Sequence, residues 1–372
     1  MRMKCLSLFA NVGIGEAYFD RLGVDVVVAN ELLKDRAEFY SHLYPETKMI
    51  CGDITSEEVQ TDLAESCMGH DIDLILATPP CQGMSIANAK RSDKKDPRNS
   101  LIKHAINMVE KIEPKYVLIE NVPGMKSEKT FILDEHGESV NILPYIKSRV
   151  GDKYVISHQV LNASDYGTPH HRKRLITLLS RRDCEEWLHP KPLTRRITVR
   201  QAIGHLPSIE SGEGSGIKWH SMEHKIHNDR HLEWMKHTPT GKTAFDNPEH
   251  YPRVLDYEET KGPCWQMRKI KGFKTTYKRM SWDEPAPTVT MMNGSINSQN
   301  NCHPGKVKSD GTYSDARVLT IKEIVRIVGL PDNWVDDLEH TKPKESFLRH
   351  VLGECFPPMM SASIVKNIPC LK

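Results

Sequence analysis

The sequence predicts an α/β fold: a doubly wound, mostly parallel sheet followed by a second, smaller, loop-rich domain. Three observations predict it. Short β-branched runs alternate with helical stretches through the first half of the chain. The first run ends in a glycine turn, where such sheets hold their ligands. Beyond residue 188 both periodicities weaken and Gly, Pro, His and basic residues become dense, as in Gly212-Glu213-Gly214-Ser215-Gly216.

The expected strands are Lys4–Phe9, Asp25–Ala29, Leu74–Ala77, Tyr116–Glu120, Tyr154–Val160 and Leu175–Leu179. Helices are expected near Ile14–Leu22, Leu32–His42, Ser56–Cys67, Ser100–Lys111 and Leu143–Val150. Helical spacing returns at Leu319–Leu330, which Pro331-Asp332-Asn333-Trp334 should stop, and at Met359–Ile368. The last helix should pack back on the first domain. This divides the chain into residues 1–188 plus 346–372, the sheet domain, and residues 189–345, the second domain.

Composition narrows the function class. Hydrophobic residues make up 38% and charged residues 27%, and no apolar run approaches the roughly 20 residues of a membrane-spanning helix. The basic start Met1-Arg2-Met3-Lys4 runs straight into a strand and a glycine turn, unlike a signal peptide. Nine cysteines form no C-x-x-C pair, so neither a zinc site nor a disulfide framework is expected, and a reducing, cytoplasmic compartment follows. The cluster His220, His224, His227, His231 and His237 lacks a cysteine or carboxylate at convincing ligand spacing, and no metal is expected.

The net charge of +2 is too small to announce nucleic acid, but its distribution is uneven. Residues 190–280 hold 17 Lys/Arg against 10 Asp/Glu, and Lys261–Arg279 holds seven basic residues and no acidic one. Trp265, Phe273 and Tyr277 sit among those charges, a mixture suited to phosphates and bases; a solvated basic face reads the same way.

Two strand ends suggest a nucleoside. Phe9-Ala10-Asn11-Val12-Gly13-Ile14-Gly15-Glu16 is a glycine turn that lets the backbone approach a ligand. At the next strand end, Asn30-Glu31 offers a carboxylate for ribose hydroxyls, and Gly52-Asp53-Ile54 a third strand-end acid for an adenine amino group. The pyrophosphate fingerprint G-x-G-x-x-G is absent, and Glu16 would repel a phosphate at a helix start, so a phosphate-free cofactor fits better than NAD. Each feature alone also suits a plain tight turn with solvated acids.

Leu74–Ala77 runs into Thr78-Pro79-Pro80-Cys81-Gln82-Gly83, a thiol on a stiff turn at the edge where active sites gather. The next strand ends in Glu120-Asn121-Val122-Pro123-Gly124, so thiol and carboxyl can share one pocket. With these turns in this order the chain resembles the cytosine-5 DNA methyltransferase family of bacterial restriction-modification systems. The resemblance continues through Tyr166-Gly167-Thr168-Pro169-His170-His171-Arg172-Lys173-Arg174, similar to the family's Gln-x-Arg-x-Arg motif. It goes on through Arg279 to Thr290, which looks like the motif that organises the DNA-recognition domain, and Arg317-Val318-Leu319-Thr320 to Pro331-Asp332. There are departures: Asn11 and Ile14 replace family glycines, His170 replaces Gln, and Gly353-Glu354-Cys355-Phe356-Pro357 replaces Gly-Asn-Ala/Ser-Val-Pro.

The resemblance implies methyl transfer from S-adenosylmethionine to C5 of a flipped-out cytosine in a specific duplex sequence. Catalytic residues would be Cys81, adding to C6, Glu120 at N3 and the exocyclic amine, Arg174 near the base O2, and Arg172 organising the pocket. Positive charge from Arg172 or Arg174 would favour the thiolate. Phe9, Ala10, Asn11, Gly13, Gly15, Glu31, Asp53, Ile54 and Pro80 would bind the cofactor; Gln82, Ser85, Arg268, Lys274 and Arg279 would bind DNA. It further implies a bacterial, nucleoid-associated monomer that shares its site with a cognate restriction endonuclease. A tRNA cytosine-5 methyltransferase is the nearest alternative; a catalytically silent nucleic-acid-binding relative and an NAD-linked oxidoreductase are more distant ones.

Overall fold

The computed structural model describes residues 2–80, 97–127, 130–134, 136–224, 227–258, 264–335 and 342–371. These divide into two compact units, Met1–Gly167 with Lys173–Thr194 and Cys355–Lys372, and Thr168–Arg172 with Arg195–Glu354.

The first unit is built on β1 (Met3–Leu8), β2 (Val24–Glu31), α1 (Lys34–Leu43), β3 (Lys48–Cys51), α2 (Glu57–Cys67), β4 (Ile72–Ala77), α3 (Leu101–Ile112) and β5 (Tyr116–Asn121). A small hairpin, β6 (Phe131–Leu133) with β7 (Ser139–Asn141), leads to α4 (Ile142–Val150), β8 (Tyr154–Asn162) and β9 (Lys173–Arg181). The sheet order is β3-β2-β1-β4-β5-β9-β8. Only β9 runs against its neighbours, so the sheet is mostly parallel, as expected. The order reverses between β1 and β4, the switch point at which open α/β sheets bind ligands. Leu8 is level with both Asn30 and Ala77, so the turns after β1, β2 and β4 leave one edge together.

Central strands buried on both faces read as continuous apolar runs, and every residue of β5 is buried. Alternation still sorts them. Leu6, Leu8, Ile75, Val117 and Ile119 pack with Leu63, Ile106 and Ile146 of α2, α3 and α4. Cys5, Leu74, Leu76, Tyr116 and Leu118 pack with Trp187 and with Met360 and Ile364 of the C-terminal helix Pro358–Val365. The Trp187 indole N–H donates to the Ile364 carbonyl at 3.0 Å, so that helix returns to the sheet as the sequence suggested. Each such fully buried side chain contributes about 1.5–3 kcal/mol.

Three expectations change. The Ile14–Leu22 helix is two 3-10 turns, Ile14–Glu16 and Asp20–Leu22: Gly13 and Gly23 sit left-handed at its ends, and Glu16 is drawn down onto Ser7 and Tyr40. β3 lies outside the six predicted runs because a four-residue edge strand with two exposed residues carries little pattern. The domain boundaries expected at 188/189 and 345/346 fall at 194/195 and 354/355, and Thr168–Arg172 goes with the second unit. Helix Glu345–Glu354 belongs to the second unit, where the Arg349 guanidinium donates to the Leu319 carbonyl and to Asn293.

The second unit has little regular structure: α5 (Val199–Ile203), α6 (Asp229–Lys236), the hairpin β10 (Arg253–Glu258) with β11 (Cys264–Lys269), α7 (Ile321–Val328) and α8 (Glu345–Glu354). The C-terminal helix of the first unit is thus α9. Gly329, left-handed at φ 85, ends α7 two residues before the proline the sequence pointed to. A small apolar core around Met222, Met235, Ile296, Cys302 and Val318 is joined by buried charge. Arg317 bonds Asp315 at 2.6 Å and Glu323 at 2.8 Å, with all three side chains at most 1% exposed. Because this unit is mostly loop, side-chain bonds stand in for missing ladders.

Candidate active site

The turns after β1, β4 and β5 are locked to one another. Thr78 donates from its backbone N–H to the Leu8 carbonyl at 3.2 Å and from its hydroxyl to the Phe9 carbonyl at 2.9 Å. Asn121 donates from Nδ2 to the Pro79 carbonyl at 3.1 Å, while its Oδ1 accepts from the Val122 N–H. Neither Thr78 nor Asn121 was assigned a role from sequence. Asn121 stands in the Glu-Asn-Val turn, but strand order, not sequence, gives it its partner.

Glu120 is 8% exposed, and the Nε of Arg174 pairs with its Oε1 at 2.5 Å. The antiparallel register explains the meeting. Glu120 is opposite Ile176, and Arg174 lies two residues on, on the same face of β9, a diagonal neighbour within reach of a long side chain. The Nη1 of Arg174 donates to the Lys173 carbonyl, which further fixes the guanidinium. A nearly buried carboxylate held by one arginine can offer a hydrogen bond acceptor in a desolvated place. Pro80, exposed, carries the chain on toward Cys81. Cys81, Gln82 and Ser85 lie outside the described residues.

The turn after β1 is bent by residues in the left-handed region: Phe9 at φ 59, Asn11 at φ 51 and Gly13 at φ 74. At Gly13 a Cβ would stand 2.3 Å from the Tyr44 ring, so only glycine fits. Glu31, 6% exposed, accepts from the Asn11 N–H at 2.9 Å and the Leu33 N–H at 3.0 Å, one on each oxygen. Each oxygen keeps a further acceptor site. Ala10 is buried against Ala29 and Tyr40, and a Cβ on Gly15 would touch Phe356 at 3.1 Å. Asp53 is exposed at the end of β3, whereas the Ile54 side chain joins the core. Glu16 is not at the mouth of this turn, as expected of a group repelling phosphate, but buried beneath it with Ser7 and Tyr40.

In the second unit one expectation is corrected. Arg279 is fully buried, and its guanidinium donates to the carbonyls of Met235, His303 and Asp315; it holds the unit's loops together and has no face for DNA. Arg172, 4% exposed, donates from Nη1 to the carbonyls of Val289 and Gly353, two contacts that fix its guanidinium. Arg268 and Lys274 are exposed, as are Leu255, Met267 and Phe273 on and beside the β10–β11 hairpin. Of the histidines singled out, His237 meets Glu233 at 3.0 Å and stacks on His250 at 3.4 Å with an interplanar angle of 1°. The fold thus brings a carboxylate to two histidines, with one ligand atom of each of Glu233, His237 and His250 within 4.8 Å of the others, but the two rings lie in parallel planes and no ion can lie in both.

The family profile for C-5 cytosine-specific DNA methylases matches residues 3–370. The chain is 44% identical over 367 residues to the type II methyltransferase M1.HgaI of Avibacterium volantium, covering 98% of this chain and 97% of that one. Identity to the type II methyltransferase M1.HphI of Haemophilus parahaemolyticus is 26%, over 99% and 87% of the two chains. Among solved structures, a prophage-encoded E. coli protein described as a DNA modification methyltransferase superposes with a TM-score of 0.68 at 21% identity, over 99% of both chains. A DNMT2 variant of Spodoptera frugiperda does so at 0.61 and 16%, over 98% and 99%. With its turns joined at one sheet edge and the profile matched almost end to end, the chain belongs to the C-5 cytosine-specific DNA methylase family.

Proposed function

We propose that this chain transfers the methyl group of S-adenosylmethionine to C5 of a cytosine turned out of a specific duplex DNA sequence, with Cys81 as nucleophile. The observation that carries the reading is the nearly buried Glu120–Arg174 pair, next to Asn121, which grips the Pro79 carbonyl two residues before Cys81.

Cytosine C5 is too weak a nucleophile to take a methyl group unaided. Addition of the Cys81 thiolate to C6 pushes electron density onto C5. Glu120 accepts from the exocyclic amine on one oxygen and, taking up a proton, donates from the other to N3, opposing the charge that builds up as sulfur adds. Arg174, fixed by Glu120 and the Lys173 carbonyl, is the residue for the O2 side of the base. Once C5 carries the methyl group, its proton leaves to a base and the thiolate is expelled. Turning the base out of the stack costs a few kcal/mol, which contacts from exposed Arg268 and Lys274 help to offset.

The turn residues fit a nucleoside without phosphate. Glu31 has acceptor sites for ribose hydroxyls, Gly13 leaves no room for a side chain, and Asp53 presents a carboxylate at the next strand end. S-Adenosylmethionine held there supplies the electrophilic methyl. The relatives' designation as type II methyltransferases supports a restriction-modification role, in which the mark protects DNA from a partner endonuclease.

The test is transfer of labelled methyl from S-adenosylmethionine to duplex DNA and to tRNA, with wild type and Cys81→Ser side by side. The expected result is 5-methylcytosine in DNA with wild type alone. Label in tRNA alone, or full activity of the serine variant, would refute the reading.

A further inference from the structure

The turn Phe9–Gly13 places two non-glycine residues, Phe9 and Asn11, in the left-handed region, a conformation that persists only where the surroundings over-determine it. From one side the Glu31 carboxylate takes the Asn11 N–H. From beneath there is a second carboxylate, which the methyl-transfer reading does not use. Glu16, 4% exposed, accepts on one oxygen from the Ser7 hydroxyl of β1 and on the other from the Tyr40 hydroxyl of α1, the latter at 2.5 Å.

That anchor reaches the turn by two routes. The Glu16 N–H donates to the Gly13 carbonyl at 3.1 Å. Tyr40, oriented by Glu16, packs against Tyr44 with ring centroids 4.8 Å apart, and the Tyr44 hydroxyl donates to the same Gly13 carbonyl at 2.8 Å. Both rings wall the space that a Gly13 Cβ would need.

We propose that Glu16 is a positioning residue for the cofactor: its carboxylate holds the strained turn in its binding shape from below, and its protonation state sets how tightly the nucleoside is held. This rests on the S-adenosylmethionine reading. Ionised, Glu16 is an acceptor for both hydroxyls, the pattern observed; protonated, one of its oxygens becomes a donor and one of the two hydrogen bonds must reverse or break. Burial pushes the carboxyl up to about 7 against the two hydroxyl donors, so the change falls at neutral pH. The groups facing it are Ser7 and Cys5 from β1 and Tyr40 from α1, with Tyr44 behind; α9, which packs on the turn, carries no titratable side chain.

The test is calorimetric binding of S-adenosylhomocysteine at pH 6, 7 and 8 to wild type, Glu16→Gln and Tyr40→Phe, with no turnover involved. Wild-type affinity should rise about tenfold from pH 6 to pH 8. The Gln variant should bind about tenfold more weakly at pH 8 and show no rise. Tyr40→Phe, which deletes one donor to the carboxylate, should weaken binding and move the rise to higher pH. A Gln variant with wild-type affinity and slope overturns the proposal; should circular dichroism show that variant unfolded, a wild-type profile from Tyr40→Phe overturns it alone. Wild type that binds no S-adenosylhomocysteine at any pH overturns the cofactor reading itself, and this proposal with it.

Discussion

Replacing Arg317 by Met should unfold the second unit more than any change of similar size on its surface. Arg317 is fully buried and donates to Asp315 at 2.6 Å, to the two oxygens of Glu323 at 2.8 and 3.0 Å, to the Ile209 carbonyl at 2.7 Å and to the Val318 carbonyl at 3.0 Å. Met fills much of the volume but leaves two carboxylates without their cation. Breaking a buried pair on one side costs about 3–5 kcal/mol. The Glu323 carboxyl points in the same direction. Burial pushes the Glu323 carboxyl up, yet Arg317 and then His303 outweigh it and hold it down to about 2, against an ordinary 4.5. A depression of that size corresponds to about 3 kcal/mol of linkage. Glu323's folded pKa is depressed, so this stability is present above about pH 4.5 and is lost as pH falls toward 2. The deficit of the variant should therefore be full at pH 7 and shrink as the medium is acidified below 4.5. In a unit of this size about 4 kcal/mol lowers the melting midpoint by roughly 10 °C. Tryptophan fluorescence is the assay, because five of the six tryptophans (219, 234, 265, 282 and 334) lie in the second unit's segment. A variant melting within 2 °C of wild type at pH 7, or a deficit that grows on acidification, would refute the reasoning.

Arg174→Leu should lower kcat by about a hundredfold or more with little change in KM for DNA, since it strips the only charged partner seen for Glu120 among the described residues; single-turnover methyl transfer measures it, and an unchanged kcat sinks the pairing argument. Gly13→Ala should abolish cofactor binding, because the added Cβ falls 2.3 Å from the Tyr44 ring at a backbone φ of 74; calorimetry with the wild-type affinity retained would contradict it. If about six phosphates are neutralised, DNA affinity should fall with salt at a log–log slope near −5, and Arg268→Ala or Lys274→Ala should each flatten it by about one. Arg279→Ala, in contrast, should cost stability of the second unit without acting as a lost phosphate contact; an intact melting midpoint with a flatter salt slope would reverse that assignment.

Much of the first unit was legible in the sequence because its central strands are buried on both faces. Leu74–Ala77 and Tyr116–Glu120 have no polar residue before their functional ends, and such runs bounded by turn residues are hard to read as anything but central strands. The motif order then supplied the family. Where tertiary forces override local pattern, the sequence was a poorer guide. The Ile14–Leu22 segment has helical spacing, but the pull of Ser7 and Tyr40 on Glu16 is a contact between residues up to 24 apart, and it yields 3-10 turns instead. The second unit has weak periodicity, so its buried Arg317, Asp315 and Glu323 look like surface charges in one dimension.

What the sequence by itself determined was the layered α/β class, the site turns at strand ends, and the residue types able to do cytosine chemistry. What only the tertiary structure decided was which partner each charge meets. Antiparallel register, not proximity in sequence, sets Arg174 diagonally across from Glu120. Burial likewise removes Arg279 from the surface, where its guanidinium ties together three backbone carbonyls from separate stretches of an irregular chain. Charge on a side chain is written in the sequence; the desolvation and the partner that give it a task exist only once the chain has closed around it.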